Sequence, residues 1–211
     1  MRIEPLGDLA YILRDLDASP AATARVLELA NIAGIVDVVP CAETVGVYFR
    51  TPVAMRELEA ACANASAETF RTRELRIPIC YELGEDLARV AEALKLSESD
   101  VVRLHSSVQY ICFAIGFCPG FAYLGPLPEA LQGIRRLPSP RIRTEPGSLG
   151  MAGNQTAVYP LPRPGGWPII GMTPLTLVNE QDDYFPIAVG DVIQYQSISA
   201  AEFESLRGRR L

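Results

Sequence analysis

The sequence predicts an α+β protein of two domains: a ferredoxin-like α/β domain over residues 1–82, then a helical connector and a closed or sandwich-like all-β domain over 83–211. Three observations predict it. The first ~80 residues switch between period-2 alternation and helical spacing in a βαββαβ order. Two short amphipathic helical stretches follow. From Tyr110 onward, short β-like runs are separated by Pro and Gly clusters, and no helix-period segment longer than about two turns returns before Ala200.

Taken in order, "RIEPLGDLAYILRDL" gives strand-like pieces broken at Gly7. "SPAATARVLELANIAG" carries a cap at Ser19, Pro20 at the first helical position and a terminal Gly34. "IVDVVP" and "TVGVYFR" form a hairpin around "CAE", and "TPVAMRELEAACANAS" a second amphipathic helix. "RELRIPICY" alternates again and is expected to close the first unit. "GEDLARVAEALKL" places Leu87, Val90 and Leu94 on one stripe, and "SESDVVRLHSS" opens with Ser97 and Asp100 in capping-box spacing. The second of these helices carries His105, the one histidine of the chain.

A net charge of −6 and a pI near 4.9 argue against a nucleic-acid or anionic-membrane surface. No run approaches ~18 uninterrupted apolar residues, and the opening residues lack an apolar secretory run, so a cytoplasmic protein is expected. Lys95 is the one lysine among 19 basic residues, so an anion held here meets a guanidinium. Five cysteines without a C-x-x-C pair, and one histidine, give no obvious metal ligand set.

Two segments look like sites. "GFCPGFAYLG" combines Gly116 and Gly120, which permit positive φ, with Pro119, which fixes the bend, and with Phe117, Phe121 and Tyr123, which a turn would cluster. It reads either as an aromatic pocket wall or as a strand corner with buried rings. In the segment from Pro138 to Pro174, Gly147, Gly150 and Gly153 recur every third residue, as an anion-holding nest or as turn punctuation. Arg135, Arg136, Arg141 and Arg143 suit a carboxylate or phosphate, or pair with Glu145 or Glu129. His105 is open to two roles: a general base, or a helix-end imidazole bonding the last carbonyls.

Taken together, "LHSSVQYICFAIGFCPGFAYLG", "EPGSLGMAGNQTAVYPLPRPGGWPIIGMTPLTL" and "VGDVIQY" resemble the bacterial 5-oxoprolinase B-subunit family, also called allophanate hydrolase subunit 1, which includes Kip-type inhibitors of a sporulation histidine kinase. The resemblance covers nearly the whole chain. It departs at Glu145-Pro146, where the family usually has Pro-Ala, and at "LVNEQDDYFP".

That resemblance implies that the second domain is a cyclophilin-like β-barrel. It also implies a direct partner, the C-subunit, and a third protein, the A-subunit, the complex cleaving 5-oxo-L-proline to L-glutamate with ATP. The chain carries no nucleotide loop of its own. Carried over, the resemblance suggests His105 and Gln155 as catalytic residues. It suggests Phe117, Pro119, Gly120, Phe121, Tyr123, Arg141, Asn154, Gly165, Gly166 and Trp167 as substrate-binding. Inhibition of a sensor kinase, or carboxyltransferase chemistry of the urea amidolyase kind, are the alternatives the same family offers.

Overall fold

The computed structural model describes residues 1–30, 32–63 and 72–211, which form two compact units, Met1–Thr72 and Arg73–Leu211. The first unit runs β1 (Arg2–Pro5), β2 (Ala10–Arg14), α1 (Pro20–Leu29), β3 (Ile35–Cys41), β4 (Thr44–Phe49) and α2 (Met55–Ala63). Its antiparallel sheet has the order β1-β2-β4-β3. Ser19 caps α1 by accepting from the Ala22 amide at 3.2 Å, with Pro20 at the first helical position, as the punctuation predicts. Leu27 from α1 and Leu58 from α2 pack on Leu13, Val45, Val47 and Phe49 of the sheet. The expected continuation of α2 through residues 64–66 lies outside the described residues.

The second unit begins with β5 (Glu74–Ile79), α3 (Leu87–Leu94), α4 (Glu98–Ser106), β6 (Gln109–Ile115) and β7 (Ala122–Gly125). It continues with β8 (Arg141–Thr144), β9 (Ser148–Ala152), β10 (Gln155–Val158), β11 (Arg163–Gly165), β12 (Ile169–Met172), β13 (Val192–Ser197) and α5 (Ala200–Leu206). Seven strands form one sheet in the order β12-β9-β10-β7-β6-β13-β5. Its two edges meet just beyond β5: the Cys80 amide donates to Met172 O at 2.8 Å, and the Met172 amide donates to Cys80 O at 3.0 Å. The sheet therefore curves round to meet itself, which fits a cyclophilin-like barrel.

One strand sits elsewhere than expected. β5, read in the sequence as closing the first unit, pairs in parallel with β13 along its whole length, from Glu74↔Val192 to Ile79↔Ser197. Its inward residues Ile77 and Ile79 belong to the barrel core with Tyr110, Leu124 and Tyr195. A bidentate pair fixes the register: Arg73 Nε and Nη2 donate to Asp191 Oδ1 and Oδ2 at 2.9 and 2.5 Å. In the first unit the edge beside β2 is filled by β1, so the split βαβ arrangement of β2, α1, β3, β4 and α2 is completed by the N-terminal hairpin. Alternation fixes which face of a strand is apolar, but not which sheet it joins.

Candidate functional site

β10 separates two environments, because successive side chains of a strand face opposite ways. Thr156 and Val158 face the barrel interior. Gln155 and Ala157 face outward, where Ala157 packs with Phe121, Tyr159 and Trp167.

On the inner side, α4 delivers His105 into the barrel, fully buried. Its Nδ1 lies 2.9 Å from Tyr81 Oη and its Nε2 3.0 Å from Thr156 Oγ1. The ring stacks on Tyr195 with centroids 5.0 Å apart. Thr156 Oγ1 donates its one proton to Gly150 O at 3.0 Å, so it accepts from His105 Nε2–H, and Nδ1 accepts from the Tyr81 hydroxyl. Burial pushes the imidazole down to about 3, so it is neutral and consistent with that single tautomer. Tyr110 Oη donates to the His105 carbonyl at 2.8 Å. The only histidine is thus the hub of an interior network with both ring nitrogens satisfied, and no part of it is exposed to solvent.

On the outer side, "GFCPGF" folds into two consecutive turns. The Cys118 amide donates to Gly116 O at 2.8 Å across Phe117, which is held at φ +68°. This is the rare three-residue turn with a left-handed centre, a strained setting for a bulky residue. The Phe121 amide donates to Cys118 O at 3.1 Å, with Pro119 and Gly120 (φ +71°) in the positions a type II turn requires. A Cβ on Gly120 would stand 2.2 Å from Val178 Cγ2, so close packing demands glycine as well.

Those turns divide the aromatics. Phe121 is buried at 2% exposure, edge-to-face with Tyr123, Tyr159 and Trp167 at 4.9, 5.2 and 5.9 Å. Trp167 is also core. Phe117 leans on Phe121 at 5.2 Å yet remains 58% exposed. Tyr123 is half-buried and lies 6.2 Å from Phe113. Phe113 and Tyr159 are members of this face that sequence reasoning missed; Phe113 was legible as an outward position in the alternation of "YICFAIGF".

The remaining predicted residues have varied fates. Asn154 sits at the tip of the β9–β10 hairpin, exposed, its carbonyl accepting from Leu127 N at 2.8 Å; Gln155 follows it, half-buried. Gly165 is a packing glycine, since a Cβ there would lie 2.5 Å from Thr144 Oγ1 and 2.6 Å from Tyr159 Oη. Gly166 is beside Pro140. Arg141 is a strap: its Nη2 donates to Asp86 Oδ2 at 2.7 Å and lies 3.2 Å from Glu85 Oε2, so two carboxylates already answer its charge. Asp86 Oδ2 also accepts from the Ile169 amide at 2.7 Å, tying α3 to β12.

The recurring glycines form no open nest. The Gly147 amide donates to Tyr159 O and the Gly153 amide to Ile134 O, both at 2.8 Å, while Gly150 lies within β9 opposite Ala157. Among the described residues no cluster of His, Cys, Asp and Glu could hold a metal, and no helix is long and apolar enough to cross a membrane.

Comparison with known proteins identifies the arrangement. The family model "Carboxyltransferase domain, subdomain C and D" matches residues 1–187. A protein of Escherichia coli O157:H7 named as the B-subunit of 5-oxoprolinase is 36% identical over 203 residues, covering 90% of this chain and 93% of the relative. One of the same name from Bacillus subtilis (strain 168) is 30% identical over 232 residues, covering 98% and 96%. The crystal structure of TTHA0988 superposes with a TM-score of 0.80 at 29% identity over 91% of this chain, which spans 40% of that longer chain. A match over most of the sequence and a barrel closed at Cys80–Met172 lead to one conclusion: the chain belongs to the carboxyltransferase C and D subdomain family, which includes the B-subunits of 5-oxoprolinase.

Proposed function

We propose that this chain is a non-autonomous part of an ATP-dependent 5-oxoprolinase, acting with the A- and C-subunits to convert 5-oxo-L-proline to L-glutamate. The observation that carries this is the near-full-length similarity to two proteins named as 5-oxoprolinase B-subunits. The site's chemistry supports it too. The outer face offers an amide at Gln155, a phenol at Tyr123 and an exposed ring at Phe117, enough to bind and orient a small polar substrate but short of a full acid–base set.

Ring opening consumes one ATP and two waters, one adding across the amide and one releasing the phosphoryl group, and gives glutamate, ADP and phosphate. The amide oxygen is activated by phosphorylation on a partner protein, because the glycine amides at 147 and 153 already hold protein carbonyls. Here Gln155, Asn154 and Tyr123 orient the substrate, while Pro119, Gly120, Phe121, Gly165, Gly166 and Trp167 fix the shape of the face. His105 acts as a positioning residue beneath it, through Thr156.

Carboxyltransferase chemistry of the urea amidolyase kind is a second reading, favoured by the description of the family model. Mixing the purified chain with the purified C-subunit and measuring mass by light scattering tests the proposal of a shared assembly. A stoichiometric complex is expected; two unassociated species would contradict it.

A further inference from the structure

A groove of about 320 Å³ lies between α3 and the segment 132–135, and uses none of the residues assigned to the aromatic face. That volume falls in the range of small-molecule sites. Its floor is apolar: Val90 and Ile134 are both buried, and Ala93 and Pro168 complete the walls. Two arginines line the groove beside this floor, Arg89 from α3 and Arg135 from the facing loop, both exposed.

The charge here is unanswered. No lining residue is acidic, in a chain of net charge −6. Arg73, Arg141 and Arg143 each hold a carboxylate within 4 Å, whereas neither Arg89 nor Arg135 has an ion pair among the described residues. The loop is also prebuilt. The Gly133 amide donates to Gly153 O at 2.8 Å, the Gly153 amide returns a bond to Ile134 O at 2.8 Å, and the Leu137 amide donates to Gly166 O at 2.7 Å. Gly133, at φ +85°, leaves open space where a Cβ would stand, so a ligand can approach the backbone.

We propose that this groove binds a small organic carboxylate with an apolar body. The carboxylate meets the forks of Arg89 and Arg135, each able to bind it bidentately, and the body covers Val90, Ala93, Ile134 and Pro168. A carboxylate fits better than a phosphate: the amides of Gly133 and Leu137 are occupied by protein carbonyls, so a multiply charged group would find no nest. The site does not depend on the 5-oxoprolinase reading and stands or falls separately.

Titrating the full isotopically labelled chain with benzoate, followed by NMR, tests it. Saturable shifts are expected at the Ala93, Gly133 and Ile134 amides, and benzyl alcohol, which lacks the charge, should produce none. The doubly substituted Arg89→Gln, Arg135→Gln chain should bind benzoate at least about tenfold more weakly at unchanged Tm, because both side chains are exposed. Lysine at both positions should restore part of the affinity. Absence of benzoate shifts, equal shifts with benzyl alcohol, or unaltered binding by the Gln variant would each overturn the proposal.

Discussion

His105 Nε2 lies 3.0 Å from Thr156 Oγ1 inside the barrel, while Gln155, the preceding residue of β10, faces the opposite side of the sheet. The two residues expected to share catalysis are therefore separated by the strand that carries one of them. Substituting each should give different phenotypes.

His105→Ala should destabilise the chain by about 2–4 kcal/mol, since it opens a cavity, strands the Tyr81 hydroxyl and removes the donor that Thr156 Oγ1 accepts from. Urea unfolding measures this directly. A loss below about 0.5 kcal/mol would contradict this structural role.

Stability should also depend on pH through the same ring. Its folded-state value is depressed to about 3 from the ordinary 6.5. As pH falls below 6.5, the unfolded chain takes up a proton that the folded chain refuses. The contribution of a neutral His105 is thus complete above that pH and lost progressively toward pH 3, on the order of a few kcal/mol. The urea midpoint of the wild type should fall more steeply between about pH 7 and 4 than that of His105→Gln; equal slopes would remove this explanation.

Gln155→Ala should leave stability within about 0.5 kcal/mol, because the side chain is half-buried on the outer face. If the outer face is the site, activity reconstituted with the A- and C-subunits should fall at least about tenfold, or ~1.4 kcal/mol of barrier. Wild-type rates would place substrate elsewhere.

Phe117 and Phe121 should part company as well. Phe121→Ala removes a core ring and should cost about 3–5 kcal/mol. Phe117→Gly relieves a left-handed bulky residue and should stabilise by about 1 kcal/mol, while lowering reconstituted activity. A destabilised Phe117→Gly chain would show that the exposed ring is held by packing rather than kept for contact.

Much of this was legible in advance. Ser19 and Pro20 announce α1, Ser97 with Asp100 announces α4, and the Pro/Gly punctuation after Tyr110 announces an all-β domain, closed or sandwich-like. The Gly116–Phe121 corner was readable because glycine and proline restrict the backbone locally. Three things were not. β5 alternates like any half-buried strand, and only its partner β13, more than a hundred residues on, decides its sheet. His105 looks identical as a base or as a core imidazole until Tyr81 and Thr156 are brought against it by the closing of the barrel. Arg141 reads either as an anion-binding cation or as a partner of Glu145 or Glu129, because its actual partners Glu85 and Asp86 are remote in sequence.

The most direct test of the central claim is 5-oxo-L-proline-dependent ATP hydrolysis, measured for the chain alone and after mixing with the purified A- and C-subunits. No turnover alone and glutamate formation upon reconstitution are expected. Turnover by the isolated chain, or none from the complete mixture, would contradict the assignment of this chain as one part of a shared 5-oxoprolinase site.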